Sequence, residues 1–138
     1  AKPLETPYHA IIDVEQRHPL GWLSVETAKC PGRAPEGHTA LVLQLSSAYS
    51  LEHYMAEDDF LCATAISFVT RLYGADWHEP EVRDVKRWKY SQPEGFSAME
   101  SVNRPGSRLI LAGDGLSGPR VERAYESGYE AARLLDES

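Results

Sequence analysis

A chain of 138 residues is one domain's worth, long enough to bury a core and too short for two ordinary domains. Its 42% hydrophobic and 25% charged residues are those of a soluble globular protein. The formal charge of -7 excludes a phosphate backbone or an anionic membrane as partner, since both require a basic face, and leaves a small molecule or another protein. No apolar run is long enough to cross a bilayer, and the opening Ala1-Lys2-Pro3-Leu4-Glu5-Thr6-Pro7 is too polar for a signal peptide, so a cytoplasmic location is expected.

Taken in order, Tyr8 to Val14 is β-branched and bounded by Pro7 and a polar run, which predicts a strand. Gly21 to Glu26 follows as its hairpin partner. The breakers of Lys29 to Gly37 predict a loop, and Thr39 to Leu45 a buried third strand. Ser50 is expected to cap a short helical turn through Met55. Glu57-Asp58-Asp59 then marks the start of a longer helix, with Leu61, Ala65, Phe68, Val69 and Leu72 on its core face and Gly74 at its end. Val82 to Tyr90 alternates, with Asp84, Lys86, Trp88 and Tyr90 on one side and Arg83, Val85, Arg87 and Lys89 on the other, which predicts a further strand.

Residues 93–107, with Pro93, Gly95, Pro105 and Gly106, predict a long loop, and Arg108 to Ala112 a last strand covered on both faces. Pro119 suits the first position of a final helix whose apolar stripe is Val121, Ala124, Tyr125, Gly128, Ala131, Ala132 and Leu135. The expected fold is therefore α+β, an antiparallel sheet of about four to six strands covered by two main helices.

Few residues present themselves for chemistry. Cys30 and Cys62 lie far apart without a CxxC and are expected as free thiols. The five histidines never fall at helical metal spacing, so no metal centre is expected, and the serines lack a glycine-flanked nucleophile elbow. A small hydrolase using His78 and Glu79 has little to support it, and the catalytic residues are unknown. Trp88, between Arg87 and Lys89, reads either as a core tryptophan or as an aromatic wall for a flat ring. Asp114, among Gly113, Gly115 and Gly118 and ahead of a helix, either caps its turn or accepts hydrogen bonds from a polar ligand.

In sequence order, Gly21-Trp22-Leu23, Lys29-Cys30-Pro31-Gly32-Arg33, Ser50-Leu51-Glu52-His53, Lys86-Arg87-Trp88-Lys89-Tyr90, and the tail from Ala112-Gly113-Asp114 through Gly118-Pro119-Arg120 to Gly128 carry a resemblance. Together they resemble the C-terminal part of the flavin-containing amine oxidase superfamily, most closely the renalase-like FAD-dependent oxidoreductases. The most specific stretch is Ala112 to Ala132.

The resemblance implies a substrate region over residues 8–92, a loop over 93–107 and a C-terminal FAD-binding strand, turn and helix over 108–138. It implies that Gly113, Asp114 and Gly115 meet the ribityl and pyrophosphate part of FAD, and that Arg120, Val121 and Glu122 bring a helix start to the pyrimidine edge of the flavin. Trp88 and Lys29 are implied in the substrate cavity. The expected reaction moves a hydride from an amine or a reduced nicotinamide-like donor to FAD. A Rossmann unit, with Gly-x-Gly-x-x-Gly after a strand and an acid about twenty positions on, is not expected within this chain. Half of the cofactor site, an N-terminal Rossmann unit, is then a missing partner, and the chain alone is expected to be inactive. The alternative is a self-associating binding domain without catalysis.

Overall fold

The computed structural model describes residues 3–136 apart from Phe96 and Pro105. Ala1 and Lys2 of the polar opening, Pro105 of the expected loop, and the last two residues of the 108–138 segment therefore lie outside the described residues. The chain forms two compact units, Ala1–Arg87 and Trp88–Ser138. The class is α+β, with an antiparallel sheet and helices.

The first unit is built on a meander of three strands, β1 (Ala10–Ile12), β2 (Leu20–Val25) and β3 (Leu41–Leu45), in the order β1-β2-β3. Ile11 lies opposite Leu23, Leu23 opposite Leu43, and Val25 opposite Leu41. Side chains alternate along a strand, so these residues share one face. Leu20, three positions before Leu23, would fall on the other face by parity. A register irregularity between Leu20 and Trp22 inserts the missing residue, and Leu20 returns to the shared face opposite Leu45.

That face is the core. Leu20, Leu23 and Val25 are buried together with Val69, and Leu41, Leu43, Leu45, Phe68, Tyr73 and Trp77 pack around them. The opposite face is open at its edges, with Ile12 and Val42 exposed, while Ser24 at its centre is buried. Two expectations are corrected here. The described residues contain three strands and not four to six, and β3 is covered on one face only, Val42 and Gln44 of the other face being exposed.

Helix α1 (Glu26–Lys29) is a single turn after β2, and a 3-10 turn at Pro31–Arg33 sits within the expected loop. Helix α2 (Ser47–Glu52) is capped by Ser46, whose hydroxyl accepts the Tyr49 amide at 3.4 Å. Ser50 is not the cap: it lies inside the helix, its amide already donated to the Ser46 carbonyl at 2.8 Å. Helix α3 (Asp58–Tyr73) begins where Asp58 and Asp59 face the positive end of the helix dipole. It ends at Gly74, whose φ of 101° favours glycine and whose amide reaches the Thr70 carbonyl. Leu61 and Val69 are buried, but Leu72 is 48% exposed, so the core stripe is shorter than its spacing predicts.

Residues 82–90 form no ladder, which corrects the expected strand. The alternation is nevertheless expressed in contacts. Arg83 binds Asp59 at 2.9 Å, and Arg87 binds Asp58 at 2.6 Å together with the carbonyls of Tyr54 and Ala56, while Val85 between them is half-buried. Two guanidinium groups thus tie an extended segment to a helix start, and no neighbouring main chain is offered for a sheet.

The second unit holds α4 (Met99–Val102) inside the expected loop, α5 (Asp114–Ser117) and α6 (Val121–Asp136). Residues 108–112 are also not laddered, because side chains stand where a strand would. Asn103 accepts the Leu111 amide and donates to the Leu111 carbonyl, both at 2.8 Å. Helix α6 starts at Val121, two residues after Pro119, because Gly118 interrupts the backbone at φ 112°. Its buried residues are Ser127 and Ala131, with Ala124, Gly128 and Leu134 partly covered. Val121, Tyr125, Ala132 and Leu135 of the expected stripe are exposed, since Ser127, a polar residue, anchors the covered face. Among the described residues no helix is long and apolar enough to cross a membrane.

Candidate functional site

The turn between residues 112 and 121 is made by two glycines. Gly113 (φ 138°) and Gly118 (φ 112°) lie where L side chains are strained, and an added Cβ at either would meet nothing within 4 Å. Backbone conformation therefore selects glycine here, and crowding does not. Between them α5 is one helical turn, closed by the Gly118 amide on the Asp114 carbonyl at 2.8 Å, with the Gly115 carbonyl accepting the Ser97 amide at 3.0 Å.

The Asp114 carboxylate, half-buried, makes no hydrogen bond or ion pair among the described residues, so it does not cap its own turn. Three positions beyond Gly118, α6 begins, and among the described residues no side chain caps its first turn. Arg120 and Glu122 flank that start, both exposed and 3.6 Å apart, and Val121 between them is exposed. An ion pair so open to solvent contributes little to stability. The chain thus brings Gly113, Asp114, Gly115, Arg120, Val121 and Glu122 onto one turn and the helix that follows it.

A hydroxyl that spacing did not single out holds this turn. Ser127 Oγ accepts the Gly113 amide at 2.8 Å, and its one proton faces the carbonyls of Gly113 at 3.1 Å and Ala124 at 2.8 Å. Ser127 is 2% exposed, and Asn103, the second buried anchor, is 5% exposed. A signal for Ser127 did exist in the sequence: it is a polar residue flanked at helical spacing by the small residues Ala124 and Ala131, and a buried polar group there must find a partner. An open groove of about 400 Å³ runs beside Ser127, lined by Met99, Ser117, Tyr125 and Tyr129, with Glu126 and Glu130 at its sides. Asp114 and Arg120 do not line it.

The other two candidates belong to different units. Trp88 opens the second unit and is 74% exposed, which removes its reading as a core tryptophan. Lys29 ends α1 in the first unit and donates to Glu26 at 2.7 Å. Glu26 also accepts the Ser24 hydroxyl at 2.6 Å and has Arg33 at 3.4 Å. The Lys29 hydrogen bond first, and the Ser24 hydroxyl next, hold the Glu26 carboxyl below its ordinary value. His78 and Glu79 lie 3.7 Å apart on an exposed turn, and the described residues contain no group of three potential metal ligands.

By letter, Gly113, Gly115 and Gly118 form a Gly-x-Gly-x-x-Gly series after an apolar run, which corrects the expectation that the chain carries none. Its geometry departs from the dinucleotide fingerprint. No laddered strand precedes it, Gly118 divides the helix that should run on unbroken, and the position twenty residues further lies in α6 and not at the end of a second strand.

The chain is thus an α+β domain whose glycine turn presents a carboxylate with no partner among the described residues, close in sequence to the start of α6. More particularly, the chain belongs to the family of flavin containing amine oxidoreductases, whose sequence model matches residues 16–136. It is a flavin-dependent, amine oxidoreductase-type domain.

Proposed function

We propose that this chain supplies the substrate region (8–92), connecting loop (93–107) and C-terminal cofactor segment (108–138) of a renalase-like, cytoplasmic FAD-dependent oxidoreductase. The observation that carries the reading is that, among the described residues, neither the Asp114 carboxylate nor the first amides of α6 have a side-chain partner, in a chain that matches the family from residue 16 to 136. Bound FAD supplies the acceptor for a hydride taken from an amine or a reduced nicotinamide-like donor.

The residues of this chain would bind and orient. Asp114 accepts hydrogen bonds from the sugar-alcohol chain, and the backbone of Gly113 and Gly115 lets a ligand approach closely. The amides that open α6, at Val121 and Glu122 beside Arg120, stabilise negative charge at the pyrimidine edge without reorganising. Trp88 and Lys29 serve the substrate cavity. The rest of the site comes from an N-terminal Rossmann unit as partner.

On this reading FAD binds the isolated chain weakly or not at all. Titration of the purified chain with FAD, followed by flavin absorbance and backbone amide shifts, tests it. Weak shifts confined to residues 113–115 and 120–122 are expected. A stoichiometric yellow complex would overturn the incomplete site, and shifts only elsewhere would overturn the turn as flavin contact.

A second reading, self-association without catalysis, draws on one observation: in the apolar segment Leu109-Ile110-Leu111-Ala112 both leucines are exposed.

A further inference from the structure

The Glu26 carboxylate is the centre of a polar cluster in the first unit. Glu26 follows β2 directly, and its main chain is fixed on both sides. Its amide donates to the Ala40 carbonyl at 2.9 Å, and its carbonyl accepts the Cys30 amide at 3.0 Å, which closes the single turn of α1 that carries Lys29. Oε1 accepts the Ser24 hydroxyl at 2.6 Å and the Lys29 ammonium at 2.7 Å, while Arg33 stands 3.4 Å from Oε2. Ser24 is buried in the middle strand, so it seats the carboxylate on the sheet. From there the cluster opens outward, the side chains being 12% exposed for Glu26, 41% for Lys29 and 61% for Arg33.

A pair with one end so open to solvent contributes little to stability, and ordering a lysine side chain costs entropy. Its consequence is to place a charge. The flexible stem of a lysine ordinarily carries its ammonium through many rotamers, whereas here one ammonium proton is bound to an oxygen that the sheet itself holds. The remaining protons have no partner among the described residues. An ammonium that donates to a carboxylate has no lone pair: it can donate further hydrogen bonds or oppose a negative charge, but it can neither attack a carbonyl nor take a proton.

We propose that Glu26, seated on Ser24, is the positioning residue for Lys29 and holds it in the substrate cavity as a fixed cation that hydrogen-bonds an acceptor group of the substrate, not as a base or a nucleophile. The proposal rests on the reading of Lys29 as a substrate-cavity residue. The Glu26 carboxyl lies below its ordinary value, through the Lys29 hydrogen bond first and the Ser24 hydroxyl next, in keeping with that seat.

Amine-specific acetylation of the full chain, followed lysine by lysine by mass spectrometry with Lys89 of the second unit as internal reference, reads the positioning without flavin or substrate. Glu26→Gln keeps the side-chain length and an acceptor for Ser24 but removes the charge, so Lys29 should be acetylated about threefold faster or more relative to Lys89. Ser24→Ala should move Lys29 in the same direction, and Arg33→Gln should not. An unchanged Lys29 rate in Glu26→Gln would overturn the positioning and leave the cavity reading standing. In the flavin-loaded complex with the Rossmann unit, with reduced nicotinamide mononucleotide as the hydride donor, Lys29→Gln and Glu26→Gln should both raise KM by about threefold or more at nearly constant kcat. Lys29→Arg, which restores a cation that cannot act as a base, should recover most of the loss. A KM untouched by Lys29→Gln would overturn the cavity reading whatever the acetylation shows, and a loss confined to kcat that Lys29→Arg fails to restore would overturn the fixed-cation role.

Discussion

The Ser127 hydroxyl accepts the Gly113 amide at 2.8 Å across fourteen residues of chain and thereby clamps the first glycine of the turn to the second turn of α6. A single side chain therefore sets both the shape of the turn and the face that the helix buries.

Ser127→Ala removes that clamp and leaves the Gly113 amide without its acceptor. Losing the partner of a buried donor costs about 1–3 kcal/mol, so the second unit should unfold at lower denaturant by about that amount. The Gly113 amide should also exchange faster with deuterium, whereas Tyr129→Ala, at an exposed position of the same helix, should change neither by a comparable margin.

Leu23 is fully buried at the centre of the sheet's covered face, with Leu43 opposite it on β3 and Ile11 opposite it on β1. Leu23→Ala should destabilise the first unit by about 2–5 kcal/mol, the range for an aliphatic cavity in a core. Val42→Ala, on the open face, should cost much less. Thermal or chemical denaturation of both variants checks the contrast.

The Tyr73 hydroxyl is buried without a hydrogen-bond partner among the described residues. Burial first, and the neighbouring Tyr8 phenol next, push its ionisation above the ordinary tyrosine range. Removing an unsatisfied buried hydroxyl while keeping the ring should help the fold, so Tyr73→Phe should be neutral or stabilising by up to about 1 kcal/mol. A loss of stability on this substitution would show that the hydroxyl does have a partner.

Glu26 carries a pH dependence. Its carboxyl is held below the ordinary 4.5 by Lys29 first and Ser24 next, so the folded state binds its proton less readily than the unfolded chain. The stabilisation is therefore present in full above the unfolded value and is lost as pH falls through the lower folded value. Wild-type stability should drop as the solution is acidified from pH 5 to pH 3, and Glu26→Gln should flatten part of that drop. An unchanged profile in Glu26→Gln would assign the acid limb to other carboxylates, of which Asp13, bonded to the His18 amide and ring, is one.

The meander, α3 and α6 were legible because each rests on a local rule. Apolar runs bounded by breakers mark β2 and β3, acidic residues mark the start of α3, a glycine marks its end, and helical spacing marks both long helices. Of the two segments that failed to ladder, 82–90 carries an alternation and 108–112 an apolar run. Periodicity reports which side chains share a side, but a strand also needs a neighbouring main chain, and that neighbour is a long-range fact. Arg83 and Arg87 in the first case and Asn103 and Ser127 in the second stand in for it.

By itself, then, the order of residues determined the α+β class, the glycine turn around Asp114 and the family to which the chain belongs, because composition, spacing and motif are properties of neighbours along the chain. Only the tertiary structure decided that Leu20 shares a face with Leu23, that Ser127 holds Gly113, that Asp114 has no partner among the described residues, and that Trp88 is exposed. Each of these depends on which distant groups arrive to satisfy a buried amide or cover an apolar face. No local pattern records their arrival.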